Sequence, residues 1–344
     1  MLIRKKLPEK LPALRGIREI TQLSIITRDT EKTVQQLVEA LNPGSFKLLS
    51  AEPPELFNTS YQGVAENWAM KAGLTWIGNT QVEVIQPTAG MTVFDDYLVS
   101  RDDRAGIEHI YFDAENFEAT CNHYRKAGYP LQQDAQLNAA GKLGILPIPA
   151  LPKFLRHLAA RFGYTSTQDA LKVDIELAKF PQGITQRTTL RAAIPEKWVP
   201  ASKPFHFEDV PAECPLKDID AFCILCKDLE VVTWAYSKLT DKKPVIEKYD
   251  EDHLPGTGRL AYIRAGTSLL VLVQPEAGPV HTWLSEQGEG LSLLRGRPQR
   301  DIKSTKALLQ DLGWVCSESK SAIGEIRLFA NHQSLPFGLW ISSD

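Results

Sequence analysis

The chain has 344 residues, of which 24% are charged and 43% hydrophobic, with a formal net charge of −3. That length exceeds one ordinary core and suits two domains, and the near-balanced charge leaves no electrostatic footprint for nucleic acid or an anionic membrane. No apolar run reaches the length of a membrane span and no signal-peptide stretch follows the basic start Arg4–Lys6, so a cytoplasmic protein is expected.

Residues 1–17 read as an extended N-terminal arm. From Ile20, ITQLSIITRDTEKTVQQLVEAL gives an apolar strand, a charged turn and a helix. Val34, Leu37, Val38 and Leu41 share one helix face, which Asp29 or Thr30 can cap. From Thr75, TWIGNTQVEVIQPTAG reads as strand, turn and strand ending at Gln-Pro. From Gly106, GIEHIYFDAENFEATCNHYRKAG is a strand followed by a helix. A long connection then runs from Leu131 to Phe162, containing Pro147, Pro149, Pro152 and KFLRHLAARF. Phe154, Leu155 and Leu158 would line one face of a short helix there, either a lid or an extra surface helix. KVDIELAKF, from Lys172, is a final strand. The Pro-rich stretch 183–216 reads as a linker, kept ordered by Ile194, Trp198 and Phe207.

The same pattern then returns. IDAFCILCKDLEVVTWAYSKLT from Ile219 echoes the segment at Ile20, with Asp228 in the place of Asp29. YIRAGTSLLVLVQPEAG from Tyr262 echoes the hairpin at Thr75, again ending at Gln-Pro. GEGLSLLRGRPQRDIKSTKALLQDLG and FGLWISSD complete the copy. Each half thus reads βαβββ-βαβββ, an α+β fold with four such units in the chain. The five cysteines show no disulfide framework. Cys223 and Cys226, three apart in a strand, point to opposite faces and read as core residues.

Paired βαβββ units, the Glu-x-Ile-Gln-Pro strand at Glu83 and the Gly-x-x-His-Ile strand at His109 resemble the vicinal oxygen chelate superfamily. Its members include lactoylglutathione lyases, methylmalonyl-CoA epimerases, extradiol dioxygenases and antibiotic-binding resistance proteins. The resemblance implies two tandem vicinal-oxygen-chelate modules, at 18–182 and 217–344, each a curved sheet cup. It also implies a divalent metal held by Gln22, Glu83, His109 and Glu176 in the first cup. Strand alternation agrees, because each of the four has apolar neighbours on the opposite face. Each alone also fits a bland reading, such as a Glu on the solvent face of a half-buried strand.

The second module reads as degenerate, with Ala221, Val271, Leu291 and Trp340 at the corresponding positions. The donor set points to zinc, nickel, cobalt or manganese ahead of iron, since an iron facial triad would need a second His. The chemistry implied is that of an isomerase, epimerase or lyase, with Glu176 removing a proton next to a carbonyl. The alternatives are a non-haem iron extradiol-type dioxygenase and a metal-free small-molecule-binding protein. The partner expected is a small-molecule substrate, bulky or apolar, with no nucleic acid and no membrane; a homodimer stays open. Glu52 and Glu55, beside Pro53 and Pro54, read as surface-turn residues rather than a second base.

Overall fold

In a computed structural model of the chain, residues 11–138, 159–180, 195–199, 211–249, 254–320 and 326–342 are described. Ile194, Phe207 and the helix expected around Phe154, Leu155 and Leu158 lie outside them. Among the described residues no helix is long and apolar enough to cross a membrane.

The first half opens with β1 (Ile17–Ile26), α1 (Thr30–Leu41), β2 (Phe46–Ala51) and β3 (Leu56–Tyr61). It continues through β4 (Val64–Ala65), β5 (Ala69–Ile77), β6 (Thr80–Ala89), α2 (Val93–Ser100), β7 (Gly106–Ala114), α3 (Phe117–Lys126) and β8 (Leu131–Leu137). It closes with β9 (Ala160–Thr165), α4 (Gln168–Leu171), β10 (Asp174–Lys179) and β11 (Lys197–Val199). The second half runs β12 (Leu216–Leu225), α5 (Leu229–Ser237), β13 (Ile246–Tyr249), β14 (Thr257–Ala265), β15 (Ser268–Ala277) and α6 (Pro279–Gln287). It ends with β16 (Gly290–Pro298), α7 (Ile302–Asp311), β17 (Val315–Lys320), β18 (Ile326–Asn331) and β19 (Gly338–Ser342).

The second sheet has the order β13-β14-β15-β12-β16-β19-β18-β17, and the first repeats it as β2-β5-β6-β1-β7-β10-β9-β8. Three strands are added to the first sheet: β11 on β2, and β3-β4 on β8. Only residues 52–55 separate β2 from β3, a reach of at most about 17 Å. Yet these strands stand near opposite ends of the sheet order, so the sheet must curl round on itself. Glu52 is exposed and Glu55 half-buried in this connection, as expected of a turn. The connection expected from Leu131 begins later than read, because 131–137 and 160–165 are paired strands.

The repeated Gln-Pro has a local cause. Gln86 accepts a hydrogen bond from the Thr30 backbone N–H at 3.1 Å, and Gln274 accepts one from Leu229 N–H at 3.0 Å. Each glutamine therefore satisfies an orphan donor in the first turn of the helix following the central strand. Asp29 and Asp228 complete the caps, accepting from Lys32 and Val231 N–H at 3.0 Å each.

The two halves pack through their helix-covered faces into one core. Leu23, Val82, Ile110 and Ile175 share it with Phe222, Leu270, Leu294 and Leu339, and with Leu37 and Leu41 of α1 and Tyr236 of α5. The contact is reciprocal. The β5–β6 turn at Gly78 abuts Lys217 and Asp218, and the β14–β15 turn at Gly266 abuts Arg18. Both glycines have positive φ and lie where a Cβ would strike the other half's first strand, so no other residue fits without displacement. Residues of the N-terminal arm run along the second half, where Ala13 bridges Arg264 and Leu14 bridges Thr240. Within 183–216, Trp198 pairs with Lys47 as part of β11.

Candidate metal centre

The concave face of the first sheet is organised in two rows running across the strands. One row is Lys47, Leu74, Glu83, Ser24, His109 and Asp174. The next is Trp76, Gln81, Gln22, Tyr111, Glu176 and Tyr164. Adjacent strands lie about 4.8 Å apart, and curvature tilts their inward side chains together. The four adjacent strands β6, β1, β7 and β10 therefore each bring one expected residue to one place: Glu83, Gln22, His109 and Glu176.

All four are buried. His109 Nε2 lies 3.8 Å from Glu83 Oε2 and 3.6 Å from Glu176 Oε2, and the three donors fall within 4.8 Å of one another. Neither His109 Nε2 nor Glu176 Oε2 has a hydrogen-bond partner. Donors bonded at about 2.1 Å to one ion stand roughly 3.0–3.4 Å apart, so the two His109 contacts lie a few tenths of an ångström beyond the spacing a divalent metal would set. The orphaned atoms, the spacing and the mixed nitrogen–oxygen chemistry fit such an ion. Gln22 is placed differently from the other three. Its amide nitrogen donates to Glu83 Oε2, which also accepts from Ser24 Oγ at 2.7 Å. Gln22 thus braces a donor.

Electrostatics of the metal-free cluster follow from its burial. Desolvation pushes the Glu176 carboxyl up to about 8, aided by Glu83 and Glu108 and opposed by His109. For His109 burial acts to lower the pKa, but Glu108, Glu83 and Glu176 outweigh it and raise it to about 10. Asp174 is raised well above the usual carboxylate range by burial and by its neighbour Glu108. Glu176 and His109 thus hold protons on groups that a cation would take.

Glu108 is the residue that strand alternation misplaces. Ile107 and Ile110 both face the helix-side core although three apart. A β-bulge makes this geometry: Ser24 pairs with His109 and Ile25 with Ile107, leaving Glu108 as the extra residue. Glu108 is consequently buried beside His109, with Oε2 2.5 Å from Nδ1. The signal in the sequence was a carboxylate assigned by alternation to an apolar stripe. The linking helix α2 was also missed. Its Phe94 stacks on the His109 ring at 5.9 Å between centroids, and Tyr164 meets that ring edge-on at 4.8 Å. Gln81, two residues before Glu83, is buried with neither amide atom hydrogen-bonded.

A cavity of 680 Å³ flanks the donor cluster instead of containing it. Tyr111 and Ala178 form its inner wall, with Arg18, Asp113, Glu118 and Lys179 at the rim. Tyr111 pairs with Glu176 and Ala178 lies two residues beyond it, so the cavity meets the cup beside the cluster.

The second cup is chemically different. Its register makes Leu293 the counterpart of His109, correcting Leu291, which falls opposite Ile224 as Ile107 does opposite Ile25. The glycine matching Gly106 is Gly290, paired with Leu225 as Gly106 is with Ile26, and not Gly288 two residues earlier. Ala221, Val271 and Trp340 do occupy the places of Gln22, Glu83 and Glu176. Cys223 lies in this apolar cup and Cys226 in the helix-side core, on opposite faces as alternation required. Val280, Trp283 and Leu284 of α6 fill the cup against Val271, Leu293 and Trp340. Arg295, in the place of Tyr111, binds Asp220 through two nitrogens at 2.6 and 2.8 Å and lies 5.4 Å from the Trp340 ring.

No protein-family profile and no curated protein matches the sequence. Among solved structures, a triple-substitution variant of 4-hydroxymandelate synthase from Streptomyces coelicolor aligns over 95% of this chain and 92% of its own. Its TM-score is 0.56 at 15% identity. A xylose isomerase-like TIM barrel/4-hydroxyphenylpyruvate dioxygenase fusion protein aligns with the whole chain at a TM-score of 0.53 and 10% identity. This chain spans about half of that protein, 52%. At these identities the likeness establishes fold, and the order of both sheets agrees with it. The chain therefore has the fold of these solved structures, with two modules of like strand order in tandem.

Proposed function

We propose that this chain is a metal-dependent isomerase, epimerase or lyase acting on a small molecule with an acidic C–H beside a carbonyl. The observation that carries this reading is the meeting of Glu83, His109 and Glu176 in one buried cup. A divalent ion held by these residues, zinc, nickel, cobalt or manganese, would polarise the substrate's carbonyl and make the neighbouring C–H more acidic. Glu176 then takes the proton, because its Oε2 is unpartnered and its environment already favours holding one. His109 and Glu83 keep the donor geometry, and Gln22 and Ser24 hold Glu83 by hydrogen bonds. Phe94 and Tyr164 keep water from the imidazole. The cavity beside Tyr111, the cross-strand neighbour of Glu176, has the volume of a pocket for a drug-sized molecule.

A second reading, an iron-dependent dioxygenase, is suggested by the name of one solved structure that covers the chain, the 4-hydroxyphenylpyruvate dioxygenase fusion protein. The donor set weighs against it, having one His and two carboxylates where iron oxygenases favour two His and one carboxylate. Metal-reconstituted protein assayed without oxygen separates the two. Turnover with zinc, nickel, cobalt or manganese under anaerobic conditions supports the first. Strict dependence on ferrous iron with consumption of dioxygen establishes the second. Tight ligand binding that survives chelation, without turnover, would leave only a binding protein.

A further inference from the structure

We propose that Glu108 is the positioning residue of this centre, fixing the His109 ring through Nδ1 so that Nε2 faces Glu83 and Glu176. The inference rests on the cluster being a metal centre, and its geometry is specific. A ring that offers Nε2 to a metal must carry its proton on Nδ1, and Glu108 Oε2 stands 2.5 Å from that nitrogen. The bulge at 108–109 turns two consecutive side chains onto one face, which a regular strand cannot do.

Asp174 stands next to His109 across the β7–β10 pairing, close enough to Glu108 for the two carboxyls to interact. Asp174 is itself pinned by the backbone N–H groups of Thr167 and Gln168, at 2.6 Å each, and by Thr167 Oγ1 at 3.1 Å. The pinned Asp174 and Glu108 thus both flank the imidazole, one across the strand pair and one beside it in the bulge. The second half supplies a control. It keeps the same bulge, with Leu293 for His109 and Ser292 for Glu108. The bulge therefore needs no carboxylate for its own sake, and the acid occurs in the copy that has the histidine.

The test compares wild type, Glu108→Ala and Glu108→Gln by zinc affinity in chelator competition and by ¹⁵N-histidine NMR. Wild-type zinc protein should show a slowly exchanging His109 Nδ1–H resonance. Glu108→Ala should lose it and bind zinc about 10–100-fold more weakly, with Glu108→Gln between them. An unchanged resonance, with affinity within about threefold in both variants, overturns the proposal. If Glu108→Ala fails to fold, Glu108→Gln decides alone: a resonance and an affinity like wild type count against it. Should wild type bind no metal, the metal reading fails. The Nδ1–H resonance, compared between wild type and variants, then still reports whether Glu108 holds the ring.

Discussion

Leu293 stands in the second cup where His109 stands in the first, each paired across the sheet with its own first strand, at Cys223 and Ser24. One cup therefore carries nitrogen and oxygen donors and the other an apolar filling, within the same backbone plan. The purified chain should bind one divalent metal, not two. Elemental analysis after dialysis should give one ion per chain for wild type and a near-zero value for Glu83→Ala. Two ions per chain, or one retained in Glu83→Ala, would count against the assignment.

The protons stored in the metal-free cluster set a pH dependence. Glu176, pushed up to about 8, stays protonated in the folded chain where the unfolded chain has released its proton, so stability falls as pH rises through that window. His109, raised to about 10, contributes stability below the ordinary histidine pKa of about 6.5, and this is lost as pH climbs towards 10. Both slopes have the same sign. The melting temperature of chelator-treated protein should fall between about pH 6 and about pH 9. Metal binding needs both groups deprotonated, so apparent affinity should rise over that range and saturating zinc should flatten the melting curve. A metal-free melting temperature that rises with pH would contradict the assigned shifts.

Glu176→Gln preserves the shape of the side chain and removes its capacity to take a proton. Turnover should drop about 10²–10⁴-fold while part of the metal binding remains. Wild-type reactions in deuterium oxide should place deuterium at the abstracted carbon unless the proton is shielded from exchange. Full activity in Glu176→Gln would assign the base elsewhere.

Gln81 buries an amide with no hydrogen-bond partner, beside Gln22 in the second row of the cup. Such a group costs about 1–3 kcal/mol relative to a paired one. Gln81→Met keeps the volume and removes the unpaired atoms, so its denaturant midpoint should rise with metal content unchanged. A lower midpoint would mean that the amide is satisfied, most simply by ordered water.

Trp340 is buried in the filled second cup and lies under the Arg295 guanidinium. Trp340→Ala should cost about 3–5 kcal/mol of stability by opening a cavity. Below the new unfolding midpoint it should leave the metal stoichiometry at one. Loss of metal from folded Trp340→Ala protein would show that the two cups are not chemically separate.

The sequence by itself determined the internal repeat, the α+β class and the face of each donor-bearing strand. Alternation and helical periodicity are local rules, and the strands at Gln22, Glu83 and Glu176 obey them. It also exposed the apolar character of the second cup, because Ala221, Val271 and Trp340 offer no ligand wherever the strands run. The tertiary structure decided what depends on contacts across strands. Only pairing with β1 reveals the bulge in β7 that brings Glu108 to His109, and only the register of β16 on β12 moves the second-half counterpart from Leu291 to Leu293. Only packing of α2 over the cup places Phe94 on the imidazole, and only curvature of the sheet brings donors from three strands within reach of one ion. A single strand's sequence sets the face of each side chain, while its register and the closing distance are properties of the whole sheet.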